Sequence, residues 1–370
     1  MRWAGVLAGL LLLTTFIPLS IAQESSNFSQ TVEAGTYSGA FTIIGVEDMP
    51  DEGDETAIVL VYPADNQGQD VPLNNTSGPY PVVFFFVDDG EGLDNYDWLG
   101  RIAEAGYILV IVPDSWNAQD IPGLVDGTTS MMEALTELDA NGSDDGSLNM
   151  KDAFDLDHWG VAGHGTGGML AAVVNSWWSN LSTQEQMEPP RSLFALGIDI
   201  SEGDVSRFAE TVAPADPAFA LFLTGTADGI APASEHLDKV LENWQGGWHR
   251  MAPVGANHLQ YEDESDWWEF GDETATMSKE EQQAHAFNHI LPYLDLTLKG
   301  DYSVWVNASN RDVDPSAISD PDAYVSEDLN ASRLLKVESI TEPKEELVLG
   351  ESADLRTNLS HRDVATSLLK

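Results

Sequence analysis

Between Trp159 and Leu170 the chain reads WGVAGHGTGGML, an apolar run that breaks into a glycine-rich turn and resumes as a helix. A sharp strand-to-helix turn of this kind presents a nucleophile for acyl transfer when it has the form G-x-S-x-G. The residues two before and two after the nucleophile must be small, because the backbones on either side pack too closely for a Cβ. Gly163 and Gly167 fill those two positions, so Gly165 stands where the nucleophile belongs. The turn has the shape for acyl transfer but no hydroxyl at its tip.

The same chemistry needs an acid and then a histidine further along the chain. Asp228 follows the buried run of ALFLTGTADGIAP, and His258 lies in the loop PVGANHLQY. An imidazole there would take a proton from the nucleophile while the carboxylate fixes its tautomer. Each also has a plainer reading. Asp-Gly is a common turn pair, and a loop histidine is often satisfied by backbone. The other histidines, His164 among them, have no comparable setting, and His285 and His289 lack the glutamate of a zinc-binding HExxH, so they read as a packed or solvent-facing pair. Thr166 is a poor substitute nucleophile, since its small-position neighbours would be His164 and Gly168. Alternatively, the missing side chain leaves a void for water, which the His258–Asp228 pair would activate.

Positioning these residues requires a sheet. YPVVFFFV (Tyr80 to Val87) and YILVIV (Tyr107 to Val112) are continuous apolar runs, as strands covered on both faces must be. Leu193–Ile200 and Ala218–Thr224 read as further strands. Helical spacing is expected over Trp98–Ala105, Thr128–Leu138, Met169–Trp178, Ser234–Trp244 and Lys279–Leu298. This alternation predicts an α/β fold, a mainly parallel central sheet with helices on both faces. The expected organisation is a signal peptide over 1–22, one α/β domain over 23–305, and an acidic extension over 306–370, either a tail or a partial β module.

Taken together, GPYPVVFFF, VAGHGTGG, TGTADGIAP, GANH and LDLTLKGD resemble secreted α/β-hydrolases of the dienelactone hydrolase and platelet-activating-factor acetylhydrolase group, including cutinase-like polyester hydrolases. The resemblance runs from about Ala57 to Asp301 and implies the α/β-hydrolase fold. It aligns Gly165 with the family's serine (VAGHSMGG or similar), Asp228 with its acid and His258 with its base. The Thr166 N–H then matches one half of the oxyanion hole. The other half falls in Val87-Asp88-Asp89-Gly90-Glu91-Gly92, with Asp89 as the expected donor, where family members carry a His-Gly or Pro-Gly loop. Carboxylates beside a developing oxyanion would raise the barrier. Those acids read as more acidic surface, or as a cation site. Trp116 and the Trp267-Trp268 pair follow sheet-end segments and are expected to line an apolar cleft.

Composition limits the partners. A 370-residue chain with 62 acidic and 16 basic residues carries a formal charge of −46, which repels phosphate backbones and anionic lipid heads. Such a surface suits a salty medium, where screening removes much of the self-repulsion; a specific cationic partner is the alternative. The start, MRWAGVLAGLLLLTTFIPLSIAQ, has a charged residue, an apolar run and a small-x-small site at Ser20-Ile21-Ala22, the pattern of an export signal. A secreted protein is expected, with a retained N-terminal anchor as the alternative and no stable membrane insertion after cleavage. With no cysteine, disulfides and thiolate metal sites are excluded. No cofactor and no metal are expected. The functional expectation is a non-catalytic protein of carboxylic-ester hydrolase lineage that binds an apolar or ester-like small molecule or a protein partner. Its alternative is a weak ester hydrolase working through His258–Asp228-activated water or Thr166.

Overall fold

A computed structural model describes residues 38–46, 56–89, 95–113, 120–142, 149–181, 187–201, 205–212, 218–244, 246–263 and 271–301, with three further strands within 324–360. The expected signal segment, 1–22, lies outside the described residues, as does most of 306–370. Among the described residues, no helix is long and apolar enough to cross a membrane.

The elements run β1 (Ser38–Val46), β2 (Thr56–Ala64), β3 (Tyr80–Phe86), α1 (Gly100–Glu104), β4 (Ile108–Val112), α2 (Ile121–Asn141), β5 (Phe154–His164), α3 (Gly165–Leu181), β6 (Ser192–Leu196), β7 (Phe219–Leu223), α4 (Leu237–Asn243), β8 (Trp248–Pro253), α5 (Lys279–Leu298) and β9 (Tyr324–Glu327). β1 to β9 form one sheet in the order β1-β2-β4-β3-β5-β6-β7-β8-β9. Strands β3 to β8 are parallel, while β1, β2 and β9 join antiparallel. β10 (Lys336–Ile340) and β11 (Thr357–Ser360) pair with each other. The fold is thus α/β with a mostly parallel sheet.

The two-sided burial of the central strands explains their unbroken apolar runs. Along β3, Val82, Phe84 and Phe86 join one core with residues of α2, α3 and α4, whereas Val83 and Phe85 join a second core with α1 and α5. Successive residues of a strand face opposite ways, so both halves of the run must be apolar when helices cover both faces. In the first core, Trp159 and Trp178 meet edge to face at 4.8 Å, a contact that adds about 0.5–1.5 kcal/mol beyond the area buried.

Two helices differ from the sequence expectation in informative ways. α2 begins seven residues earlier than Thr128, at Ile121, although Ile-Pro-Gly reads as a turn. Asp120 caps it by accepting the Gly123 N–H at 2.7 Å, and Pro122 sits in the first turn, where its missing N–H costs nothing. α3 begins at Gly165, directly after the last residue of β5, rather than at Met169. The strand-to-helix turn therefore has no intervening loop. The expected helix over 279–298 starts at Lys279 because Ser278 and Glu281 form a reciprocal capping box.

Candidate functional site

The turn is built by exclusion. A Cβ on Gly163 would overlap the Gly167 backbone, and one on Gly167 would overlap the carbonyls of Phe86 and Val87. Both positions admit only glycine, and this close packing brings the end of β3 against the first turn of α3. Gly165 sits at φ +53°, the left-handed conformation that aims a side chain out of the turn.

That corner is not the void expected from the sequence. A Cβ at Gly165 would run into the carboxylate of Asp88, the second residue after β3. Asp88 Oδ1 accepts the Thr166 N–H at 2.7 Å, the Thr166 hydroxyl at 2.9 Å and the Asp89 N–H at 2.9 Å. The two backbone N–H groups of Thr166 and Asp89 thus converge on one oxygen, and that oxygen belongs to the protein itself. Asp88 Oδ2 lies 3.1 Å from His258 Nε2. The Thr166 hydroxyl is spent on Asp88, which removes it as a nucleophile while this arrangement holds.

Behind His258 stands Asp228, whose Oδ2 is 3.2 Å from His258 Nδ1 and whose Oδ1 accepts the Ala231 N–H at 2.7 Å. Gly197, at the end of β6, leaves room for this pair: a Cβ there would lie 2.8 Å from His258 Nδ1. Asp272 holds the two loops together. It accepts the Gly229 N–H at 2.9 Å on Oδ1, and the His258 and Leu259 N–H groups at 2.9 and 3.0 Å on Oδ2. Buried Gln282 of α5 clamps the backbone of Asn257, accepting its N–H at 3.0 Å and donating to its carbonyl at 2.7 Å.

The electrostatics follow from this enclosure. Burial disfavours a charged His258, but hydrogen bonds to Asp228 and Asp88 and the charges of both outweigh it and raise its pKa well above the ordinary value. Burial would likewise raise Asp88, yet the His258 hydrogen bond, the nearby imidazoles of His164 and His258 and the Thr166 N–H hold it well below the usual carboxylate range. The result is an imidazolium between two carboxylates, with both ring nitrogens committed as donors. A ring in that state has no lone pair with which to take a proton from a substrate or water.

Of this cluster, sequence reasoning missed His164 and Glu262, and it placed Asp88 only among the acids of the expected oxyanion loop. His164 is fully buried at the end of β5, its ring centroid 4.5 Å from that of His258. Its Nδ1 lies 3.1 Å from the Tyr96 hydroxyl and 3.3 Å from Glu262 Oε1. Tyr96 in turn accepts the Asp88 N–H at 3.2 Å. The one sequence signal for His164 is position: it ends β5 immediately before the tip of the turn, though nothing in its spacing reports its partners. By contrast, His289 is buried, its Nδ1 is 2.9 Å from the His285 carbonyl, and burial lowers its pKa to about 4, as a packed ring requires.

Trp116, Trp267 and Trp268, the expected cleft residues, lie outside the described residues. A groove of about 910 Å³ lies elsewhere, between β1, β2 and the α1 region, and is lined by Phe41, Ile43, Tyr96, Trp98 and Arg101 among others. It shares Tyr96 with the site. Compared by sequence, the chain matches no family model and no curated protein.

Proposed function

We propose that this protein is an exported α/β-hydrolase of carboxylic-ester hydrolase lineage, close to the dienelactone hydrolase and platelet-activating-factor acetylhydrolase group, that no longer performs serine chemistry and acts by binding. One observation carries the reading. The Asp88 carboxylate occupies at once the volume of the missing nucleophile side chain, the point where the Thr166 and Asp89 N–H groups converge, and the Nε2 of His258. An acyl substrate would need all three. The strand order, with β4 placed before β3 and β2 antiparallel to both its neighbours, and the strand-to-helix turn without a loop support the hydrolase lineage.

Weak hydrolysis through activated water is the less favoured reading, because the base that would activate water is already hydrogen-bonded at both nitrogens. A p-nitrophenyl ester assay in high salt tests the choice, with His258→Ala as control. The expected result is no turnover that depends on His258. Turnover that the control abolishes would overturn the non-catalytic reading.

A further inference from the structure

Five titratable side chains crowd one side of the Gly165 turn: Asp88, Asp228 and Glu262, with His164 and His258. Four of them are at most 5% exposed, and the side chain of Asp88 is 16% exposed. Three carboxyl groups and two imidazoles thus share one buried corner. Buried charge is normally paired or bound to a metal. Within the described residues, His164 Nε2 and Glu262 Oε2 are buried with no hydrogen-bond partner. The cluster thus has one buried imidazole nitrogen and one buried carboxyl oxygen left unsatisfied.

Its construction matches a metal site in a second respect. Metal-binding histidines almost always hold one ring N–H against a carboxylate or carbonyl, which fixes the tautomer and frees the other nitrogen. Both rings here have one nitrogen held against a carboxylate in that way, and the other nitrogen of His258 faces Asp88, itself one of the cluster's carboxyl groups. His258 has Nδ1 against Asp228 at 3.2 Å, and His164 has Nδ1 against Glu262 at 3.3 Å. One nitrogen from each ring and an oxygen of Asp88 lie within 4.8 Å of one another. Ligand atoms 2.0–2.1 Å from a tetrahedral ion stand about 3.3 Å apart. Asp88 Oδ2 and His258 Nε2 are already at 3.1 Å, so only His164 has to close in.

We infer that Asp88, His164 and His258 form a binding site for a divalent first-row transition metal ion of zinc type, with Asp228 and Glu262 orienting the two imidazoles. The ion takes the place of the Nε2 proton of His258, which is released to solvent. The donor set selects against Mg²⁺ and Ca²⁺, which prefer all-oxygen cages. The inference rests on the binding-protein reading above and names the ligand of that same corner. It also gives the His258–Asp228 pair a chemical reason to be there in a chain with no serine to serve.

The test uses the full chain, stripped with chelator and titrated with Zn²⁺ by calorimetry and with Co²⁺ by visible absorption. Expected are one ion per chain, the d–d bands of Co²⁺ held by nitrogen and oxygen, and no competition from millimolar Mg²⁺. Asp88→Asn and His164→Gln, each checked for native near-UV circular dichroism, should lower affinity at least 100-fold. Asp228→Asn should lower it about 10–100-fold, the usual effect of losing an orienting partner. Binding that is stoichiometrically diffuse, displaced by Mg²⁺ and unchanged in both ligand variants would belong to the acidic surface and would overturn the site. Ester turnover that appears only with Zn²⁺ would keep the site and overturn the non-catalytic reading, so the two claims fail separately.

Discussion

Asp88 and Gly165 occupy one another's space: the carboxylate of the first stands where a Cβ on the second would be. The relationship connects the ends of β3 and β5 across 77 positions of sequence, and Thr166 fixes it by donating both its N–H and its hydroxyl to Asp88 Oδ1.

The first consequence concerns whether a hydroxyl at position 165 could react. Gly165→Ser alone places a side chain against the carboxylate at a strained φ, so it should lower stability by about 1–3 kcal/mol and give no fluorophosphonate labelling. Asp88→Gly combined with Gly165→Ser frees the Thr166 and Asp89 N–H groups and leaves His258 Nε2 facing the new hydroxyl. The double variant should label. Labelling of the single variant at the same rate would show that Asp88 does not block the corner.

Stability should depend on pH with a maximum near 6.5 in metal-free protein. His258 has a folded pKa above its unfolded value, so its contribution is complete below about 6.5 and is lost as pH rises through the folded pKa. His289 has a folded pKa of about 4, so it favours the unfolded state increasingly as pH falls from about 6.5. That acid-side loss is on the order of 3 kcal/mol at 1.36 kcal/mol per pKa unit. Urea melts between pH 4 and 9 measure both limbs, and His289→Leu should flatten the acid limb alone. A stability that keeps rising above pH 7 would contradict the assignment for His258.

Asp272 should matter more than its surface position suggests. Its carboxylate ties Gly229 to His258 and Leu259, and so fixes the loop of Asp228 relative to that of His258. Asp272→Ala leaves those N–H groups without their charged acceptor, at a cost of about 1–3 kcal/mol. Hydrogen exchange should quicken at Gly229, His258 and Leu259 before other amides, and the His258 ring resonances should broaden. A loss of stability with His258 unaltered would make Asp272 a structural staple only.

The charge of −46 should make stability salt-dependent. The screening length falls from about 10 Å at 0.1 M to about 3 Å at 1 M salt, which relieves self-repulsion of the folded chain. Tm should rise by at least about 2–4 °C over that range, roughly 1 kcal/mol. A Tm that is flat or falls between those concentrations would argue against adaptation of the surface to salt.

Much of this geometry could be read from residue order, for definite reasons. Runs such as Tyr80–Val87 have no polar face, which only a doubly covered strand tolerates, and the spacing of Gly163, Gly165 and Gly167 encodes a close backbone crossing. The loops bearing Asp228 and His258 follow strand ends, and strand ends of a parallel sheet gather on one edge. The start of α2 was hidden because Pro122 and Gly123 look like a turn until the Asp120 cap is seen. Asp88 could not be placed, since its direction depends on which N–H groups of a distant turn it meets. Its neighbour Asp89 was the expected participant, and it contributes through its backbone, while the carboxylate in the corner is that of Asp88. His164 was passed over because a residue between two glycines of a turn has no periodicity to report its partners.

The most direct measurement is the low-field proton spectrum of His258 at neutral pH in metal-free protein. If the ring is an imidazolium held by two carboxylates, two hydrogen-bonded ring protons should appear, on Nδ1 and Nε2. Asp88→Asn should remove the Nε2 signal or shift it strongly and lower the pKa of the ring, while the Nδ1 signal toward Asp228 remains. A single ring proton, unchanged by Asp88→Asn, would mean that the carboxylate does not fill the corner beside Gly165, and the account would fail at its centre.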